Sequence, residues 1–154
     1  MSTMETDSVV IRRLRPDDLD VVVRIDEKNT GRRRAEYFEI KLEKALAEVG
    51  IEVSLAAGVD GAVVGFLLCW VHYGEFGQPE PVAVLDTIGV APEHRGAGVG
   101  QALLDQLRTN LLGLGIRSLR TEVSWEDQEL LLFFQRIGFQ LTQRLCLDLE
   151  LDYE

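Results

Sequence analysis

Apolar residues follow two rhythms along this chain, one of period two and one of period near 3.6, and the places where one gives way to the other mark its elements. Val9 to Leu14 is rich in β-branched residues and predicts a strand that ends before Pro16, and Pro16-Asp17-Asp18 opens a helix running to about Lys28. Asn29-Thr30-Gly31 stops that helix. A second helix is predicted from about Arg34 to Glu48, with Phe38, Leu42, Ala45, Leu46 and Val49 on its core face and Gly50 at its end. Glu52 to Ala57 and Ala62 to His72 read as strands, and the Asp-Gly pair in Val59-Asp60-Gly61 predicts an antiparallel hairpin between them. Gly74 to Pro81 reads as a loop, and Val82 to Val90, apolar at most positions, as a strand covered on both faces. Val99, Leu103, Leu107 and Leu111 predict a helix from Gly98 to Leu112, followed by a strand over Ile116 to Val123. Asp127 caps a last helix that Gly138 breaks after Ile137, and Phe139 to Leu151 reads as a terminal strand with Leu145, Leu147, Leu149 and Leu151 alternating.

This order of elements predicts an α/β fold with helices on both faces of a mixed sheet, and a right-handed parallel crossover from Val82 to Val123. A length of 154 residues fits one domain, expected over residues 8–154 behind a loose start at residues 1–7. The most apolar run, Ala62 to Val71, has about half the length of a spanning helix, and no charged-then-apolar leader is visible, so a cytoplasmic protein is expected. Cys69 and Cys146 sit in apolar stretches and are expected as buried thiols; with His72 and His94 they lack zinc-type spacing, and no metal site is expected. The formal net charge of -10 argues against a nucleic-acid partner and suits a cationic substrate.

The densest chemical signal is Arg95-Gly96-Ala97-Gly98-Val99-Gly100, between a predicted strand and a predicted helix. Glycines there permit positive φ and remove side chains, so backbone N–H groups can converge on an anion at the helix start, with Arg95 at the rim. A P-loop is excluded, because no Gly-Lys-Ser or Gly-Lys-Thr follows. A dinucleotide fingerprint counted from Gly96 requires Gly or Ala where Gln101 stands, and is excluded as well.

Val90-Ala91-Pro92-Glu93-His94-Arg95-Gly96-Ala97-Gly98-Val99-Gly100, followed by Gln101-Ala102-Leu103-Leu104, resembles the acetyl-CoA signature of the GCN5-related N-acetyltransferase (GNAT) family. Downstream, Phe133-Phe134-Gln135-Arg136-Ile137-Gly138-Phe139 resembles the Phe-Tyr-x-x-x-Gly-Phe end of that family's last helix. The resemblance covers Val82 to Phe139; the residues before it carry no family motif. It implies a central sheet that splays open between the strands at Val82 to Val90 and Ile116 to Val123. The pantetheine arm of acetyl-CoA would lie in the gap beside the main chain of Ile88, Gly89 and Val90, and the amides of Gly96, Ala97, Gly98, Val99, Gly100 and Gln101 would hold the pyrophosphate. The acceptor would be an amine on a small molecule or a protein, and homodimers are common among similar proteins.

Acetyl transfer needs a neutral amine, and a lysine-like amine is only about 0.04% neutral at pH 7, which calls for a proton acceptor near the thioester. Asp86, four residues before Val90 in an otherwise apolar strand, is the candidate; a structural aspartate bonding a neighbouring amide is the plainer reading. Two positions depart from the family pattern. Phe134 stands where many relatives carry a tyrosine that protonates the departing thiolate, so Tyr73, Ser124 or water would serve, or no acid at all. Asp127 stands in place of the usual asparagine near the cofactor. His94 reads as a solvated loop residue, Arg32-Arg33-Arg34 beside Tyr37 as a solvated charge run or part of an acceptor pocket, and Trp125 as packing near the gap or over the core. The expected activity is N-acetyl transfer by direct attack. The alternative is an acyl-CoA-binding sensor or interaction module with little turnover.

Overall fold

Five strands form one sheet in the order β1-β2-β3-β4-β5 in the computed structural model, which describes residues 9–47 and 53–152. They are β1 (Val9–Arg13), β2 (Leu55–Val59), β3 (Ala62–His72), β4 (Val82–Val90) and β5 (Leu119–Arg120). Neighbours are antiparallel except β4 and β5, which are parallel and joined through α3 (Val99–Gly113), as the sheet's one crossover of that kind requires. Between β1 and β2 come a short turn at Pro16–Asp18, α1 (Leu19–Thr30) and α2 (Ala35–Leu46). The chain divides into two compact units, the first reaching Glu122 and holding all these elements, the second starting at Val123 and holding α4 (Gln128–Ile137). The readings made for residues 1–7, for the end of the second helix at Glu48 to Gly50 and for the start of the following strand at Glu52 lie outside the described residues.

Adjacent residues of β3 show which helix covers which face. A Cβ on Gly65 would meet Val99 and Leu103 of α3, whereas the ring of Phe66 meets Phe38 of α2 edge-on at 6.0 Å. The helices therefore cover opposite faces, with α1 packed against α2. Phe38, Leu103 and Leu107 are fully buried, as the periodicity of both helices predicts, and so are Phe66, Leu67 and Leu68 in the apolar run of β3. Ser54 is buried too, and its hydroxyl is satisfied: it donates to the Cys69 carbonyl at 2.9 Å and accepts from the Cys69 amide at 3.0 Å.

The turn into α1 is fixed by Asp18, which is buried and accepts Arg12 through both oxygens at 2.8 and 2.9 Å and the Arg15 amide at 2.8 Å. Burial raises the Asp18 pKa, but the bonds from Arg12 and Arg15 outweigh it, and the group sits below its ordinary 3.8. A carboxyl lowered in the folded state contributes stability above its unfolded pKa and loses it as pH falls through the folded value, here below about pH 4. Asp18→Asn should therefore cost about 2–3 kcal/mol at pH 7 in urea unfolding, less than a fully buried pair because Arg12 is partly solvated, and the deficit should shrink below pH 4. A variant as stable as the parent at pH 7 would show that the contact contributes nothing.

The sheet departs from the sequence reading at three places. Only Leu119 and Arg120 of the predicted strand at Ile116 to Val123 pair with β4, opposite Ala83 and Val84. β4 is well buried at Val82, Ala83 and Leu85, but Asp86 to Val90 are half-buried, so the strand is covered along only its first part. Phe139 to Leu151 forms no strand among the described residues, and Leu145, Leu147 and Leu149 are about 85% exposed. Alternation marks a segment able to form a two-faced strand, but a ladder also needs a neighbour, and α4 is the second unit's one regular element among the described residues. Cys146, in that segment, is exposed rather than buried; Cys69 in β3 is buried as expected.

Candidate active site

The glycine-rich segment lies where β4 delivers the chain to α3. A single turn at Pro92–His94 is followed by Arg95 to Gly98, with Gly96 at φ 79° and Gly98 at φ 83°, and the helix begins at Val99. Its first backbone bond is from the Ala102 amide to the Gly98 carbonyl at 3.0 Å. Among the described residues, the amides of Gly96 to Gln101 have no backbone acceptor, so six N–H groups stay available at the positive end of the helix. A Cβ built on Gly98 meets no atom within 4 Å, so open space lies before the turn.

Packing holds the turn in place from two sides. A Cβ on Gly65 would come within 2.8 Å of Val99 Cγ1, so the missing side chain in β3 lets the first turn of α3 settle on the sheet. From α1, Asn29 donates to the Val90 carbonyl at 3.1 Å and accepts from Arg95 Nη2 at 2.5 Å, while Lys28 pairs with Glu93 at 3.3 Å. The Val90 carbonyl keeps one lone pair and the Arg95 guanidinium several donors for a ligand. His94, read from sequence as solvated, is half-buried, and its Nδ1 is buried without a partner among the described residues.

Beside this turn the sheet is open. The β4–β5 pairing ends at Val84 and Arg120, and the Thr121 hydroxyl donates to the Leu85 carbonyl at 2.8 Å. From Asp86 to Val90 no strand pairs with that edge of β4 among the described residues, so Ile88, Gly89 and Val90 border a gap.

Asp86 stands where the gap begins, at a bulge in β4. Leu68 pairs with Thr87 and Cys69 with Leu85, leaving Asp86 as the extra residue of β4. In a regular strand Asp86 and Thr87 would face opposite ways, but a bulge re-aims one of them, and here the Thr87 hydroxyl donates to Asp86 Oδ2 at 2.7 Å. Both side chains therefore share the face covered by α2, where Lys41 Nζ donates to Asp86 Oδ1 at 2.9 Å and to Oδ2 at 2.8 Å. Lys41 Nζ also lies 4.9 Å from the Tyr37 ring centre and 5.4 Å from that of Trp70. Burial pushes the Lys41 ammonium down, but its two bonds to Asp86, with Tyr37 close by, prevail and hold it above its ordinary 10.5. Both charged side chains remain about a fifth exposed, so the pair is reachable from solvent.

Other candidates fall elsewhere. Tyr73 lies past the last β3–β4 pair, His72 with Val82, which puts it about 13 Å along the sheet from Asp86, and it is exposed. The structure does not bring those two together. Arg34, read as part of a solvated run, binds Asp26 through both oxygens at 2.6 and 2.9 Å and stacks on Tyr37 at 4.8 Å, fixing the ring that faces Lys41. In the second unit, Asp127 caps α4 by accepting the Leu130 amide at 3.1 Å, and Phe134 is buried against Phe133 and Phe139. Trp125, read as a packing residue, is 84% exposed. Sequence reasoning missed Lys41, Trp70 and Asn29; for Lys41 one signal was present, its position one helical turn after Tyr37 on the same face.

Comparison with known proteins gives the family and the fold. The model of the acetyltransferase (GNAT) family matches residues 20–139. An aminoglycoside N(6')-acetyltransferase type 1 from Stenotrophomonas maltophilia is 31% identical over 107 residues, covering 68% of this chain and 70% of its own. Among solved structures, the aminoglycoside 6'-N-acetyltransferase AAC(6')-Ih from Acinetobacter baumannii superposes with a TM-score of 0.76 at 17% identity, over 94% of this chain and 99% of that one. The aminoglycoside N-acetyltransferase AAC(6')-Iy in complex with CoA does so with a TM-score of 0.76 at 22% identity, over 92% and 94%.

Proposed function

Because the chain belongs to the acetyltransferase (GNAT) family and is an acetyl-CoA-dependent N-acetyltransferase, we propose that it acetylates a primary amine of a small polycationic molecule of the aminoglycoside kind, by direct attack of the amine on the thioester. The observation that carries this reading is Asp86, which holds an ammonium at the mouth of the gap in the sheet. The name of the 31% identical relative and the formal net charge of -10 support a cationic acceptor.

In this reading the amides from Gly96 to Gln101, with Arg95, hold the pyrophosphate, and the open edge of β4 at Ile88, Gly89 and Val90 carries the arm. Asp86 binds the acceptor's ammonium and takes its proton, directly or through one water, at a cost of about 4.6 kcal/mol if unaided at pH 7. The amine nitrogen then bonds to the acetyl carbon, the carbon–sulfur bond breaks, and CoA leaves as a thiolate, which takes up, directly or through water, the second proton that the nitrogen sheds. With a thiol pKa near 8.5 that thiolate is a tolerable leaving group, so the absence of tyrosine at Phe134 does not stop the reaction.

CoA release should be followed with acetyl-CoA and a panel of aminoglycosides, polyamines, lysine peptides and peptides with a free N-terminus. Turnover is expected with the aminoglycosides or polyamines. Turnover confined to the peptides would make the acceptor a protein. Stabilisation by acetyl-CoA without release under any acceptor would make the chain a binding module.

A further inference from the structure

Lys41 makes no chemical sense as an ordinary surface lysine. Its ammonium contacts both oxygens of Asp86, flanked by the rings of Tyr37 and Trp70. The rings are themselves held: Tyr37 carries Arg34 on its face, and Trp70, a nearly buried residue of β3, has Lys44 over it at 4.2 Å. Among the described residues, the charged and titratable groups around the site are thus Asp86 from β4, Lys41, Lys44 and Tyr37 from α2, Arg34 just before α2, and Asp26 of α1, which holds Arg34. Asp26 is engaged by Arg34, and Asp86 is the anion that contacts Lys41, already paired with a cation from the chain itself. Lys41 occupies one lone pair on each oxygen and Thr87 a second on Oδ2, so an acceptor ammonium that is to contact both oxygens of Asp86 must take the place of Lys41.

We infer that Asp86, Tyr37 and Trp70 form the acceptor-ammonium site, and that Lys41 is a tethered placeholder which the acceptor displaces. This rests on Asp86 being the group that receives the acceptor, and deepens that reading by describing what it receives. The placeholder defines the ligand: a primary ammonium on an unbranched methylene stem, able to donate to both carboxylate oxygens while its stem passes between two ring faces. Quaternary ammoniums lack the donors and are excluded. Lys41 stays protonated throughout the range in which the enzyme would work, so it competes as a cation and is not itself the nucleophile.

The test removes the placeholder and supplies its missing part. Lys41→Ala deletes three carbons and the nitrogen, the framework of n-propylamine, which is cationic at pH 7.5. Thermal stability of wild type, Lys41→Ala and Lys41→Met should be followed against n-propylamine and 1-propanol, with acetyl-CoA titrations as the check that each variant keeps its cofactor site. The expected result is saturable stabilisation of Lys41→Ala by n-propylamine, with binding at least about tenfold tighter than in wild type or in Lys41→Met, whose stem fills the space without charge. Propanol should do nothing. With acetyl-CoA present, Lys41→Ala should release CoA in proportion to n-propylamine bound. If Lys41→Ala still responds to acetyl-CoA but not to n-propylamine, or responds equally to propanol, the ammonium site is wrong while the family chemistry stands. If n-propylamine binds selectively but is never acetylated, the ammonium site stands and the catalytic reading of Asp86 falls.

Discussion

Asp86→Asn is expected to lower kcat about 10²- to 10⁴-fold, the usual contribution of a positioned proton acceptor, with acetyl-CoA affinity nearly unchanged. The amide fills the same space and can still accept from Lys41 and Thr87, which donate to Asp86 at 2.7 to 2.9 Å, so the fold around the bulge should survive. What is lost is the charge that holds an ammonium and the basicity that takes its proton. The pH profile separates this from a structural effect. Without the carboxylate the acceptor must lose its proton unaided, so the variant's rate should climb about tenfold per pH unit below the amine's pKa, and wild type should climb less. A variant that turns over at the wild-type rate across this range would remove Asp86 from the reaction.

Gly98→Val should abolish acetyl-CoA binding while the protein stays folded. Gly98 stands at φ 83°, where a residue with a Cβ pays about 1–2 kcal/mol and a β-branched one more, and it caps the helix whose first amides are free. The branched side chain also enters the open space before the turn, where Gly98 now presents nothing. Circular dichroism should show an unchanged helix content, and calorimetry should show affinity reduced by at least about 100-fold, close to 2.7 kcal/mol. Binding within tenfold of wild type would mean that the turn at Arg95 to Gly98 does not hold the pyrophosphate.

Much of this site is local in sequence, and for that reason legible there. The cradle consists of consecutive residues whose special property, freedom at positive φ, is written in their identity, and β4 and α3 on either side of it follow from simple periodicity. The same holds for the hairpin at Asp60-Gly61 and for the cap at Asp127, whose oxygen bonds an amide three residues on. Asp86 is visible too, as a charged residue in an apolar strand.

What surrounds Asp86 is long-range and was not legible. Lys41 is 45 positions away, and nothing in its own helix says that a carboxylate of β4 will lie opposite it. The bulge itself is a mismatch between two strands, Leu68 with Thr87 and Cys69 with Leu85, and no single strand encodes it. Gly65 reads as a weak point in β3 until Val99 is found resting where its side chain would be. Asn29 reads as a helix stop and turns out to tie α1 to Val90 and Arg95. The terminal leucines fail in the opposite direction, since their alternation is real but the partner strand that would realise it is not among the described residues of their unit.

The central claim is geometric: unpaired amides at the start of α3 hold the cofactor's diphosphate, and the parting of β4 from β5 leads its acyl end to Asp86. A crystal structure with CoA bound tests it most directly. The account predicts phosphate oxygens within about 2.7–3.2 Å of amide nitrogens between Gly96 and Gln101, and the sulfur in the gap beside Asp86. A diphosphate bound elsewhere, or β4 paired to a strand along Ile88 to Val90 with the sulfur outside the sheet, would contradict it.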